Sequence, residues 1–263
     1  MDPLALGIMA GAVGCLAAMV GVGGGFLIVP MLVLVWGLSM QEAAGTSLIM
    51  IVFTSLSSTA AYWKQRRIDY RLGLILAAGS IPGALLGAYA TTIVESVILE
   101  ALLGIFLLGL GVRMLLAPEL PEKPSEGEHT NRKVDSHGHV FEYSPKTVRG
   151  LPGSFSAGMA SGVFGLGGGV LIVPLLRLAM SVPMHIACPT SMFIMTFTSS
   201  FAAMSHILLG HSRLDYAIPL CIGIVLGTQI GPLLARRTRA KVLEKILGVC
   251  LLVVGARMLY GLL

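Results

Sequence analysis

Apolar residues along this chain come in long unbroken runs rather than in the half-apolar, half-polar rhythm of a water-soluble helix or strand. The runs are Ala43 to Tyr62, Leu72 to Val94, Val97 to Leu116, Met192 to Leu209, Tyr216 to Ala235 and Val242 to Leu263. Each is close to the roughly 20 residues that a helix needs to cross about 30 Å of hydrocarbon. An earlier apolar run, Pro3 to Trp36, is too long for one straight crossing and is broken by glycines. Its arms, Leu4 to Val20 and Phe26 to Trp36, would measure about 25 Å and about 16 Å as helices at about 1.5 Å per residue, so the second cannot cross. Pro30 suits a first helical turn, which leaves Gly25 to Val29 extended ahead of it.

The pattern occurs twice. GVGGGFLIVP, Gly21 to Pro30, returns as GLGGGVLIVP, Gly165 to Pro174. The same offset carries Ala43, Thr46 and Ser47 onto Ala187, Thr190 and Ser191, and Phe53, Thr54 and Ser55 onto Phe197, Thr198 and Ser199. It also lays the run ending in Arg113 and Met114 over the one ending in Arg257 and Met258. Such self-similarity marks a duplicated unit. The first copy spans residues 1–116, a polar linker spans 117–149, and the second copy spans 150–263.

Composition and charge then fix the class and suggest the orientation. Hydrophobic residues make up 55% of the chain and charged residues 12%, with a mean hydropathy of +0.86. That is a chain for lipid, with no cleavable leader evident behind Asp2. The net charge of +5 sits in loops, which gives no support to a nucleic-acid partner. Lys64, Arg66, Arg67 and Arg71 crowd one loop of the first repeat, whereas the second repeat carries its charge one loop later, at Arg236, Arg237, Arg239 and Lys241. By the positive-inside rule, matched units are then mounted upside down relative to each other. An inverted repeat needs an odd number of crossings. The expected fold is therefore an all-α polytopic membrane protein with two inverted-topology repeats, each a glycine-broken re-entrant helical hairpin plus three transmembrane helices. A single broken helix with parallel repeats is the alternative. On the inverted reading the linker is cytoplasmic, and its mix of prolines and charges predicts a mobile tether, His129, His137 and His139 included. Cys15, Cys188, Cys221 and Cys250 stand singly in apolar segments and read as small core residues. They show no CxxC pair or metal-ligand spacing, and weak metal binding is the alternative only for the linker histidines.

The candidate chemistry lies in glycines and hydroxyls. Gly23, Gly24 and Gly25, and again Gly167, Gly168 and Gly169, let backbone amides approach a ligand closely, and a helix starting there aims unpaired N–H groups at it. Two such turns facing each other make a weak anion site without a buried lysine. Close helix packing through small residues is the competing explanation. On the next helix Ser47, Thr54, Ser58 and Tyr62 share one face, matched by Ser191, Thr198, Ala202 and His206, with Thr46 and Thr190 beside them. Such a stripe suits an oxyanion path, or interhelical hydrogen bonding. His206 reads as a satisfied core histidine, with proton handling as the alternative. No nucleophile, base and orienter assemble, so no enzyme is expected.

GVGGGFLIVPML followed by AAGTS, and GLGGGVLIVPLL followed by ACPTS, resemble the TauE/SafE sulfite exporter family of duplicated membrane permeases. The resemblance covers nearly the whole chain except the linker. It implies passage of sulfite, sulfoacetate or a related organosulfonate across a prokaryotic cytoplasmic (inner) membrane, without a cofactor. Carried over residue by residue, the substrate-binding set is Gly23, Gly24, Gly25, Thr46 and Ser47 with Gly167, Gly168, Gly169, Thr190 and Ser191. The shared helix face, not the resemblance, supplies the candidate pathway set Thr54, Ser58, Tyr62, Thr198 and His206. The two copies differ at Gly45 against Pro189 and Tyr62 against His206. Alternating access, with export driven by a proton gradient, is the expected mechanism; an anion channel and a non-transporting membrane scaffold are the alternatives.

Overall fold

A computed structural model of the protein describes residues 3–116, 131–136, 138–143, 145, 147–238 and 240–261. The first repeat is α1 (Pro3–Val20), α2 (Gly25–Leu34), α3 (Met40–Gln65), α4 (Tyr70–Ala90) and α5 (Ser96–Leu116). The second is α6 (Thr147–Phe164), α7 (Gly169–Pro174), α8 (Met184–Leu208), α9 (Leu214–Arg237) and α10 (Ala240–Tyr260). Among the described residues five helices, α3, α4, α5, α8 and α9, are long and apolar enough to cross a membrane. Their outer faces carry exposed leucine and isoleucine, such as Leu74, Leu86, Ile105, Ile222 and Leu226. Their inner faces bury hydroxyls, among them Thr46, Thr54, Ser80, Thr198 and Thr228. That distribution inverts the rule for a protein surrounded by water.

Local signals account for most boundaries. Ser39 and Glu42 form a capping box that starts α3, with Ser39 Oγ accepting from the Glu42 amide at 3.3 Å and a Glu42 carboxylate oxygen accepting from the Ser39 amide at 3.1 Å. Asp69 caps α4 by accepting the Leu72 amide at 3.1 Å. Two expectations fail. α2 is helical from Gly25 onward with Pro30 inside it, because only one backbone bond is forgone so near the helix start. α8 begins at Met184, ahead of the helix start expected near Thr190, and takes Pro189 into its second turn. The short α7 ends at Pro174 and runs into a wide turn over Leu175–Ala179, closed by the Met180 amide donating to the Leu175 carbonyl at 3.1 Å.

The repeats interlock. α1 packs along α9 and α6 along α4, so the first arm of each repeat lies on a helix of the other. Glycines make the contacts: a Cβ placed on Gly11 would touch the Gly223 carbonyl at 3.4 Å, and one on Gly87 would lie 3.0 Å from the Val163 amide. Matched helices pair antiparallel. Gly104 abuts Leu259 while Gly111 abuts Leu252, so α5 and α10 run in opposite directions. α3 and α8 do the same, with Gly45 beside His206, Thr59 facing Thr196, and Asp69 meeting Thr190.

The expectation of a mobile tether fails over its second part. Residues 117–130 lie outside the described residues, but Asn131–Val134 and Val140–Tyr143 pair as strands β1 and β2 of an antiparallel hairpin. The hairpin is docked on the end of α3. Asp135, which is 1% exposed in its side chain, pairs with the 5% exposed Arg67 at 2.7 Å. The Ser136 amide donates to the Gln65 carbonyl at 3.1 Å, and the Tyr143 hydroxyl donates to Asp69 at 2.7 Å. Burial and the Asp69 carboxylate both raise the Tyr143 phenol above its ordinary range. Arg67 also stacks over the Phe141 ring, which in turn lies near His185 of α8. A polar composition predicts disorder only where no partner surface waits for it, and here a buried guanidinium waits.

Candidate functional site

Each glycine turn joins the first two helices of its repeat. Gly21, Gly23 and Gly24 adopt φ of 81°, 78° and 86°, and Gly165, Gly167 and Gly168 adopt 69°, 72° and 83°. Only glycine takes such left-handed backbone without strain. The amides of Gly23 to Phe26 and of Gly167 to Val170 find no acceptor among the described residues. Helix bonding resumes only at Leu27 and Ile28, which donate to Gly24, and at Leu171 and Ile172, which donate to Gly168.

The two turns meet at the middle of the molecule. A Cβ on Gly25 would lie 2.6 Å from the Gly165 carbonyl oxygen, and one on Gly169 would lie 2.9 Å from the Gly21 oxygen. The hydroxyls of the next helices cross over to hold this arrangement. Ser47 donates to the Gly165 carbonyl at 2.7 Å, sharing its proton with Ala44 O at 2.9 Å. Ser191 does the same with Gly21 at 2.6 Å and Cys188 O at 2.8 Å. Thr46 Oγ1 accepts the Arg213 amide at 3.1 Å, and Thr190 Oγ1 accepts the Asp69 amide at 3.0 Å. All ten residues expected to bind substrate are buried.

The pathway residues extend outward along α3 and α8. Thr54 donates to Met50 O at 3.0 Å, and Thr198 to Ile194 O at 3.2 Å, with Ser80 Oγ beside it. Ser58 Oγ is buried without a partner among the described residues. Tyr62 and His206 stand apart from the turns and make equivalent bonds by different chemistry. The Tyr62 hydroxyl donates to Ala18 O at 2.7 Å, and His206 Nε2 lies 2.8 Å from Gly162 O. Each side chain holds the end of its own repeat's first arm.

Two central residues escaped the sequence reading. Ile51 and Met195 occupy matched positions and lie between the glycine turns, where both would contact a Cβ on Gly23 or Gly167. Both are fully buried. Apolar side chains at helix positions carry no chemical signature, and only their matched places in the two copies mark them out. Asp69 and Arg213 are likewise matched, and their backbone amides bridge to Thr190 and Thr46.

Long apolar spans around a buried, twofold-repeated core of hydroxyls and bare amides define a polytopic membrane protein of the transporter class. The family model for the sulfite exporter TauE/SafE matches residues 6–258, and the chain belongs to that family. Membership makes it a multi-pass membrane transporter and not an enzyme. It is 35% identical, over 97% of its length and 95% of the relative's, to a Bacillus subtilis protein described as a probable membrane transporter, YunE. A probable membrane transporter of Methanocaldococcus jannaschii is 25% identical over 94% of this chain and 91% of its own. A sulfite exporter TauE/SafE family protein of Arabidopsis thaliana is 35% identical over 34% of this chain and 19% of its own. No solved structure matches.

Proposed function

We propose that the protein carries a small sulfur oxyanion, sulfite or an organosulfonate such as sulfoacetate, across the cytoplasmic membrane by alternating access. The observation that carries this reading is the meeting of the two glycine turns, with bare amides in both, inside a ring of buried hydroxyls. Bare amides and hydroxyls donate to an oxyanion and cost little to vacate, as a carrier requires. In this conformation Ile51 and Met195 fill the space between the turns. Substrate entry then requires one turn to withdraw, with Ser47 or Ser191 exchanging its carbonyl partner for the anion.

The two repeats, 1–116 and 150–263, act as inverted units. The antiparallel pairing of α3 with α8 and α5 with α10 supports inversion, since an axis along the membrane normal would keep matched helices parallel. The basic loop at Lys64 to Arg71 supports a cytoplasmic position for the end of α3 and the linker hairpin docked on it. The family name supports export.

Sulfite flux in proteoliposomes tests the reading. A carrier gives saturable uptake that accelerates with sulfite on the far side; conductance without saturation identifies a channel, and absence of flux a scaffold. A Thr46→Val and Thr190→Val pair that leaves flux and anion binding unchanged removes the hydroxyls from the pathway.

A further inference from the structure

Three buried polar atoms without a protein partner among the described residues lie on one stretch at the end of α8: Nδ1 of His206, Nδ1 of His211 and Oγ of Ser212. An unpaired polar atom away from water is unfavourable, and a fold that keeps several together there provides for something to bind them. The imidazoles indicate what. His206 is fully buried, and its Nε2 faces a carbonyl oxygen, which only accepts. Nε2 therefore carries the hydrogen, and Nδ1 is left as a bare lone pair. The His211 ring lies 5.4 Å away between centroids, and its backbone amide donates to the His206 carbonyl at 2.9 Å. Burial lowers the proton affinity of His211, with the Glu42 carboxylate acting against it.

The geometry points to a proton-binding site at this place: His206 and His211, beside the Ser212 hydroxyl, take up a single proton between them. Two imidazolium charges this close repel, so the second proton binds only at lower pH than the first. A metal ion is a poorer occupant, because no group of three His, Cys, Asp or Glu side chains gathers among the described residues.

The charged surroundings leave the pair free to respond. α3 contributes Glu42, 3.4 Å from Arg213; the loop and α9 contribute Arg213 and Asp215, paired at 3.0 Å. α6 brings the Gly162 carbonyl, which carries no charge. A charge on the histidine pair competes with Arg213 for Glu42, and the Arg213 amide is held by Thr46. His206 also grips α6 just ahead of Gly165, where the second glycine turn begins. Proton uptake is thereby coupled to the candidate anion site. The coupling rests on the transport reading; the proton site does not.

The first repeat supplies the control. Tyr62 makes the equivalent bond without a titrating base in the ordinary pH range, so His206→Tyr keeps the grip on α6 and removes the lone pair, and His206→Gln offers the same donor in a smaller side chain. Histidine Cε1–H shifts of the detergent-purified protein are followed between about pH 4 and 9. In the wild type the pair titrates in two steps separated by more than about one unit. In His206→Tyr, His206→Gln or His211→Gln the one surviving ring of the pair follows a single one-proton curve. Survivor curves that match the wild type, or a wild-type pair that titrates as two independent groups, overturn the proposal. A sulfite-flux pH profile flattened by the same substitutions supports the coupling, and coupled titration with no sulfite flux at any pH keeps the proton site while removing the transport reading.

Discussion

Arg67→Ala removes the cation on which the linker hairpin is seated. The pair it forms with Asp135 is almost fully buried, and losing one partner of such a pair costs roughly 3–5 kcal/mol because the other charge is stranded. The hairpin has another way out: it can lift off and rehydrate Asp135. What then holds it down is the Tyr143 to Asp69 bond, about 1.5–3 kcal/mol as a bond to a charged group, and the Ser136 to Gln65 bond, about 1 kcal/mol. Those remaining bonds must restrain the segment from Asn131 to Tyr143 against an ordering cost of about 1–2 kcal/mol per residue, so docking becomes marginal. A loss of about 3 kcal/mol appears as roughly 100-fold faster hydrogen exchange at the Asp135 and Ser136 amides, read by mass spectrometry, with the long helices unaffected. Asp135→Ala gives a similar result, whereas Arg67→Leu combined with Asp135→Leu recovers much of the protection, since no charge is left buried. Exchange in Arg67→Ala within about threefold of wild type, a difference near 0.6 kcal/mol, would refute this account of how the hairpin is held.

The remaining predictions follow the crossed turns and the hairpin. Gly25→Ala and Gly169→Ala each drive a methyl group into the opposite turn's backbone and should abolish monodisperse protein in size-exclusion chromatography. Gly109→Ala, which meets nothing within 4 Å, should be neutral or stabilising by up to about 1 kcal/mol. Ser47→Ala and Ser191→Ala each remove the hydroxyl bonded to a buried turn carbonyl and should cost about 1–3 kcal/mol in thermal unfolding, with similar losses for both; a large inequality would break the pseudo-twofold account. The raised Tyr143 pKa means that the folded hairpin favours the neutral phenol. Its stabilising effect is complete below the ordinary tyrosine value near 10 and fades as pH rises above it. Hairpin amide protection should therefore fall in alkaline buffer, and Tyr143→Phe should remove that step.

Much of this molecule was legible in one dimension because its signals are local or self-repeating. Twenty-residue apolar runs report a lipid solvent, and the doubled GGG motif marks both turns because left-handed backbone demands glycine. Repetition also paired the hydroxyls of the two copies, Ser47 with Ser191 and Thr46 with Thr190. The sequence could not say what those hydroxyls would touch: Ser47 and Ser191 reach carbonyls of the opposite repeat, a bond that exists only once the halves interlock. Tyr62 and His206 looked like a break in symmetry, yet they make the same bond to the same place in each copy, because a phenol and an imidazole both end in a donor. The hairpin was hidden for the opposite reason. Its composition is that of a flexible linker, and its order comes from Arg67, far away in sequence and buried by the fold. Sequence alone determined the solvent, the duplication and the places where the chain turns. Tertiary structure decided which buried polar group satisfies which, because in a low-dielectric interior each donor must find its acceptor wherever packing has put one.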